Sequence, residues 1–566
     1  MFAIALFICI YSYVIFLTGV YGVLTKGNVV ILTLICLFLF FFVQKKTVTL
    51  FLQKFTKKRI NFTKLRSNYS VETLLPLGLL FLLVILAVVN LVGTLGPELA
   101  FDSLWYHLTL PQLYLLHQMI YHIPGGLLYY SDMPKLGEML YIGALSFGNE
   151  ITAKLIHFTF GLLVVIALYT FSKKYFNQTV SLLIVLIFYS NLVVATESIT
   201  AFIDLTRTFF EFLALWGLIS WSEKGDLKWL GLSALMVGAA ITTKVLAVGS
   251  LIIFTPLIIS IIFDPKMSAN VKMFHIHVKN KVGYVITVLL GYWIIALLVP
   301  LPWLIFSYLN TGNPFYPFFS QIYEIVPNRP NLLEFFADIW NLFMYSPDPI
   351  SPIYLIFLPL LLVTYSKFNK QMKLILMYCG MSLIVWYFTP RTGGGRFILA
   401  YLPAFSIICG AIYVECSNLT KTIWANLSKL LLVIIIFVSL ITIGYRSIAN
   451  AKFVPVVFGV ETKQQFLTNE LNFGFGDFYD TDGYFSLKVK QTDKVLLFGF
   501  HNLYYVDFPY IDSTWVRKGD RFDYIAIQNG KLPNRFKDWQ LVYSNDKTMV
   551  QLYKPPPWGC LKTCYY

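Results

Sequence analysis

The sequence predicts a polytopic α-helical membrane protein of about 13 transmembrane helices followed by a small C-terminal α/β domain. Three observations carry this expectation. Of 566 residues, 57% are hydrophobic and 17% aromatic while only 13% are charged, a balance that excludes an ordinary soluble protein. Apolar runs close to the roughly 17–25 residues that a helix needs to cross a hydrocarbon core recur from Met1 to Tyr445, without the period-2 alternation of a barrel. From residue 451 the runs shorten to strand length, with Gly and Asp turns between them.

In chain order the expected spans are 2–21, 28–43, 72–95, 152–171, 178–195, 201–221, 228–243, 245–263, 282–299, 350–366, 374–389, 397–415 and 429–446. The first run lacks a basic n-region and an Ala-x-Ala-like cleavage site, so it reads as a retained span. Residues 1–450 then form a transmembrane domain with two long loops, 96–151 and 300–349, and residues 451–566 a second domain. Within the latter, 494–500 and 524–527 read as strands and 539–553, with Asn545-Asp546 at its middle, as a hairpin. No internal repeat of the kind found in many secondary transporters is present.

The net charge of +15 does not gather on one polar face, which argues against a nucleic-acid partner. It sits in short loops instead, with clusters at Lys45 to Arg66, at Lys173 and Lys174, at Lys266 to Lys281, and at Lys367, Lys370 and Lys373. If spans alternate, all fall on one side, which the positive-inside rule makes cytosolic. The N-terminus is then cytosolic, and both long loops and the C-terminal domain lie outside a cytoplasmic membrane. Five cysteines fall in or beside spans as small hydrophobes. Cys560 and Cys564 fall in the tail, where a disulfide and a pair of free thiols are both open.

The residues that carry chemistry are concentrated on the expected outer side. Asp102 stands just beyond the third span, at the start of the amphipathic stretch Trp105 to Tyr121, which reads as a helix lying in the headgroup layer. Its carboxylate suits a helix N-cap and equally a general base beside the membrane. His107, Asp132 and Glu138 follow in the same loop and Glu197 in the next outer turn, either as solvated polar groups or as part of a site. In the sixth span Asp204, Arg207 and Glu211 share one helical face, where charge is costly unless paired. An intrahelical ion pair of Arg207 with the acids is one solution. Asp204, nearest the outer end, is the member expected to face a site. Lys244 sits at an outer hairpin, where it either snorkels to water or meets an anion. Arg391 and Arg396 bracket Thr392-Gly393-Gly394-Gly395, a flexible turn with interfacial anchors or a place where backbone N–H groups and guanidiniums meet a phosphate. No Gly-Lys-Ser or Gly-Lys-Thr follows, so it is not a nucleotide-binding loop. Metal-ligand spacing is weak throughout: no His-x-x-x-His lies on an outer helix, and His275 and His277 fall in a cytosolic loop.

Together these residues resemble a family. Asp102 with Tyr106-His107-Leu108 and Pro111, Pro134 with Glu138 and Tyr141, Asp204 at the head of the sixth span, Thr243-Lys244, Gly312-Asn313-Pro314 with Tyr316-Pro317, and Gly395-Arg396 are similar, in order and sidedness, to the GT-C glycosyltransferases. Within them the chain looks closest to prokaryotic aminoarabinose transferases and protein O-mannosyltransferases, over about residues 70–415 plus the C-terminal domain. The resemblance implies a hexosyl- or pentosyltransferase using a polyprenyl-phosphate sugar and a lipid, glycan or protein acceptor on the outer face. It makes Asp102 the general base, with Lys244, Arg391 and Arg396 on the lipid phosphate. Many relatives carry a second acid directly after the first; here Ser103 stands there, leaving His107, Glu138, Glu197 and Asp204 as candidates on the acceptor side or as the second acid. No cofactor is expected, and the role of a divalent metal is left open. The rival expectations are a transporter or flippase of lipid-linked sugars, and a scaffold whose C-terminal domain grips glycan.

Overall fold

The computed structural model describes residues 1–45, 71–264, 281–323, 331–345, 349–389, 391–419 and 422–556. Two of the four basic clusters from which sidedness was read, those within 46–70 and 265–280, together with His275, His277, Cys560 and Cys564, lie outside the described residues.

Helices stand in all thirteen expected segments. Phe2–Val20, Lys26–Val43, Val71–Leu95, Glu150–Ser172, Gln178–Tyr189, Asp204–Lys224 and Leu227–Thr243 form the first seven. Val245–Phe263, Lys281–Leu298, Ile353–Lys367, Lys370–Tyr387, Leu399–Ser417 and Thr422–Asn450 complete the set. Among the described residues, eight helices are long and apolar enough to cross a membrane. Gln178–Tyr189, Leu227–Thr243 and Ile353–Lys367 are apolar but shorter. Asp204–Lys224 is long enough but carries charge at both ends and in its middle.

That helix is the axis of the bundle. Every residue from Asp204 to Ser222 is buried, against Leu227–Thr243 and Glu150–Ser172 above all. In lipid, helices gain little from excluding water and associate through close backbone approach and hydrogen bonds. Gly217 supplies the approach, since a Cβ there would stand 3.0 Å from the Ser233 backbone. Ser233 Oγ supplies the hydrogen bond, donating 2.8 Å to the Ala214 carbonyl.

The 96–151 loop is itself helical. A π-helical turn, Ser103–His107, runs into Thr109–His117, and Leu136–Phe147 packs beside it. The expected headgroup-layer helix is not a surface helix: Leu108, Leu110, Leu113 and Leu115 are buried in protein, and only residues 116–119 are exposed. In the second long loop, Leu301–Thr311 ends at Gly312, whose φ of +73° gives the left-handed cap that a Cβ disfavours. Asn313 then donates from Nδ2 to the Phe318 carbonyl at 2.7 Å and accepts from Phe315 N at Oδ1, closing the Pro-rich turn on itself.

The C-terminal domain is a five-stranded mixed sheet of order β2-β1-β3-β5-β4. Its strands are β1 (Val495–Phe498), β2 (Tyr510–Asp512), β3 (Tyr524–Gln528), β4 (Gln540–Asn545) and β5 (Val550–Lys554). β1 pairs in parallel with β2 and β3, and β4 and β5 form the expected hairpin. The three-residue edge strand β2 is too short to announce itself in sequence. Alternation decides the rest: Val495, Leu497, Tyr524 and Ala526 join the core shared with the helices, while Leu496, Ile525 and Ile527 face a second cluster with Phe522, Phe536 and Trp539. The sheet is therefore fastened to the bundle by one of its own faces.

Candidate active site

Five of the residues singled out in sequence meet at one point. Arg396 is the hub. Its Nη1 donates to Asp102 Oδ2 at 2.9 Å, its Nη2 lies 3.3 Å from Asp204 Oδ2, and its Nε lies 3.0 Å from Glu197 Oε1. Lys244 Nζ donates to the other Asp204 oxygen, Oδ1, at 2.7 Å. The guanidinium lies 4.0 Å above the ring of Phe202, which closes the cluster on its fourth side. Burial opposes the charge on Arg396, but Glu197, Asp204 and Asp102 outweigh it and hold the guanidinium firmly protonated. Three carboxylates thus face two cations, a formal balance of −1.

Local structure explains how the sequence brings each group here. Asp102 makes no capping bond to its own helix; the π turn that follows, with Leu108 N donating to Ser103 O, leaves the side chain to reach Arg396. Glu98 ties the two acidic segments together: its Oε1 accepts from Leu99 N and Ala100 N, and its Oε2 from Ala201 N at 2.6 Å. His157 fixes the 197–204 turn, with Nδ1 2.9 Å from the Glu197 carbonyl and 3.0 Å from that of Thr200, while Nε2 accepts from Leu205 N. That bonding assigns the proton to Nδ1. Arg396 is aimed by Gly394, whose φ of 54° and ψ of −133° put a kink between the helical turns of 391–397. Lys244 follows the last residue of Leu227–Thr243 in an extended conformation, which turns it back over the Asp204 helix.

The arrangement sorts the sequence expectations. The capping of Asp102 is not found, and neither is the intrahelical pairing of Arg207: its Nη2 donates to the Tyr401 hydroxyl at 2.8 Å, while Glu211 accepts from Ser250 and Tyr378. His107 and Glu138 pair with each other at 2.9 Å and are buried one layer below, where the His107 ring neighbours Phe202. Asp132 pairs with His122. The side chain of Arg391 lies outside the described residues. Among the described residues, no group of three or more His, Cys, Asp or Glu side chains is spaced to hold a metal ion. Sequence reasoning passed over Glu98 and His157; one follows a proline after the third span and the other sits inside an apolar run, so neither has a local signal.

An apolar cleft of about 600 Å³ is lined by residues that flank Lys244 in the chain, though by none of the five cluster residues themselves. Ile241, Val245, Leu246 and Val248, on both sides of Lys244, form one wall; Phe315, Phe318 and Phe319 of the Pro-rich turn form another.

Residues 139–305 match the model of the dolichyl-phosphate-mannose-protein mannosyltransferase family. Among solved structures, ArnT from Cupriavidus metallidurans bound to undecaprenyl phosphate superposes with a TM-score of 0.53 at 12% identity, over 84% of this chain and 97% of that one. Its apo state gives 0.51 at 11% identity over the same shares. The archaeal oligosaccharyltransferase AglB from Archaeoglobus fulgidus, in complex with an inhibitory peptide and a dolichol-phosphate, gives 0.44 at 11% identity, over 84% of this chain and 74% of that one. No curated protein matches in sequence. The resemblance read from the sequence therefore holds at the level of architecture, and the chain is a multi-pass membrane protein with the fold of the GT-C glycosyltransferases.

Proposed function

We propose that the chain transfers a sugar from a polyprenyl-phosphate donor to a lipid, glycan or protein acceptor at the outer face of the cytoplasmic membrane. The observation that carries this reading is the convergence of Asp102, Glu197, Asp204, Lys244 and Arg396 from separate stretches of the chain, with the residues flanking Lys244 walling an apolar cleft of about 600 Å³.

Asp102, at 24% the most exposed of the three acids, acts as general base. It takes the proton of the acceptor's nucleophile as that atom bonds to the anomeric carbon. The bond from that carbon to the phosphate oxygen breaks, and its electron pair leaves with the polyprenyl phosphate. Lys244 and Arg396, together with Arg391 as the sequence reading assigns it, stabilise the departing anion, and the cleft takes the first isoprene units. Glu197 and Asp204, which are 0% and 2% exposed, are too enclosed to meet an acceptor and hold the two cations in place. His107 and Glu138 position the floor under Phe202. The reading calls for no cofactor.

Because the cluster carries one excess negative charge, a phosphate enters only by displacing a carboxylate from Arg396. Asp102 is the outermost and the one that yields. Donor binding and release of the base are then a single exchange, which ties the base's activity to the presence of donor. The test is incubation of purified protein with labelled polyprenyl-phosphate sugars and membrane extract. Label must pass to an extract component with the wild type and not with Asp102→Asn; equal labelling by both removes Asp102 as the base.

A further inference from the structure

The C-terminal domain presents a specific edge to this site. In an open parallel sheet, ligand sites form beyond the carboxyl ends of the strands, where the strand order reverses. Here the reversal is at β1, whose parallel partners β2 and β3 lie on opposite sides of it. The loop leaving that end does not point into solvent. The imidazole of His501 stacks on Phe101, with centroids 4.7 Å apart and planes at 27°, and meets Trp105 at 4.7 Å and 51°. Tyr504 N lies 3.4 Å from the Leu104 carbonyl, and the Tyr505 hydroxyl donates to the Glu98 carbonyl at 2.9 Å. Phe101 and Trp105 are four residues apart on the face next to that of Asp102.

The loop is rigidly built. Gly499, at φ +78°, passes so close to the Gln528 carbonyl that no side chain fits. The Gly476 carbonyl accepts from both His501 N and Asn502 N, and Asn502 Nδ2 donates to the buried Asp477 at 2.6 Å. The ring this framework holds is half-buried, and Phe101 beside it stays 41% exposed, so part of the aromatic stack is left open next to the base. The negative faces of such rings attract the weakly positive C–H face of a pyranose, and an imidazole nitrogen meets its hydroxyls. None of these residues lines the apolar cleft or touches Lys244.

We propose that residues 499–505 form the acceptor-side wall of the Asp102 site, with His501, Phe101 and Trp105 as a stacking platform for a sugar ring of a carbohydrate acceptor. This deepens the glycosyltransferase reading above and rests on it. The test uses full-length protein, a labelled polyprenyl-phosphate hexose and, as acceptors, a panel of n-octyl glycosides alongside membrane extract. His501→Ala raises the KM for the glycoside about tenfold and leaves the donor KM and the melting temperature unchanged. His501→Phe, which keeps the stack, stays within about threefold of wild type, and Phe101→Leu repeats the test if His501→Ala does not fold. A wild-type glycoside KM in His501→Ala, or a rise shared equally by donor and glycoside, overturns the wall. Labelling of the extract but of no glycoside overturns the carbohydrate acceptor while leaving the transferase reading intact. Labelling of nothing by the wild type sinks both.

Discussion

The helix Asp204–Lys224 carries two ionic clusters within its first two turns, and they are built on opposite terms. At its head, Asp204 shares Arg396 with Asp102 and Glu197, in a group that holds one acid too many and keeps Asp102, Lys244 and Arg396 between 14% and 24% exposed. Further along, Glu211 spends both oxygens on the Ser250 and Tyr378 hydroxyls and Arg207 reaches the Tyr401 hydroxyl, all sealed from solvent. Neutral hydroxyls are the hydrogen-bond partners of the inner pair, in place of opposite charges. The outer cluster is held by charges that an incoming anion can replace. Charge inside a membrane protein is therefore not enough to mark a site; a cluster whose partners can be traded is.

The contrast is broken most severely at the hub. Arg396→Ala leaves three carboxylates facing one lysine and is expected to lose about 3–5 kcal/mol of stability together with all transfer, seen as a fall in melting temperature in detergent and no labelled product. Arg396→Lys, which keeps the charge but not the planar fork that faces the three acids from three separate nitrogens, is expected to fold better than the alanine variant and still fail in transfer. Asp102→Asn separates chemistry from structure: activity drops roughly 10²–10⁴-fold while the melting temperature holds, because the side chain is the exposed member of the group. Glu211→Gln should do the reverse, lowering stability by about 1–3 kcal/mol while transfer per folded molecule stays near wild type. Loss of transfer equal to that of Asp102→Asn would merge the two clusters into one site.

A carboxyl outside both clusters is bound only within its own turn. Asp512 of β2 accepts from Thr514 N at 2.8 Å and has no ion-pair partner among the described residues; burial raises its pKa to about 6. The folded chain then holds this proton more tightly than the unfolded one. The group's contribution to stability is fully present below about pH 4, declines as pH rises toward 6 and is absent above it. Asp512→Asn should flatten that slope, by on the order of 2–3 kcal/mol at pH 7–8, in melting curves taken across the range.

Much of this was legible in the chain. Hydropathy finds a helix in all thirteen segments, since an apolar run of the right length has few other solutions, though the fifth stops at Tyr189, short of 195, and the last begins at Thr422, ahead of 429. Asp102, Glu197, Asp204, Lys244 and Arg396 stand out individually as charges at the ends of apolar runs. Their partnership does not, because Arg396 and Asp102 are 294 residues apart and no local pattern encodes such a pairing. Arg207 misleads for a related reason: its spacing offers an intrahelical pair, and the hydroxyls that replace it come from helices far along the chain. Glu98 and His157 work through backbone groups, which every sequence has, so nothing distinguishes them before folding. His501 shares that difficulty, its meaning arising only where a sheet edge meets the Asp102 turn.

The π turn at Ser103–His107 holds one residue more than an α-helix would over the same rise. Deleting Ser103 would let the turn relax into regular helix and swing everything upstream by about 100° relative to Thr109–His117. Such a chain would keep every charged residue of the cluster and its entire bundle, yet it would turn the Asp102 carboxylate away from Arg396, a cluster undone by the removal of a single serine that belongs to none of its ion pairs.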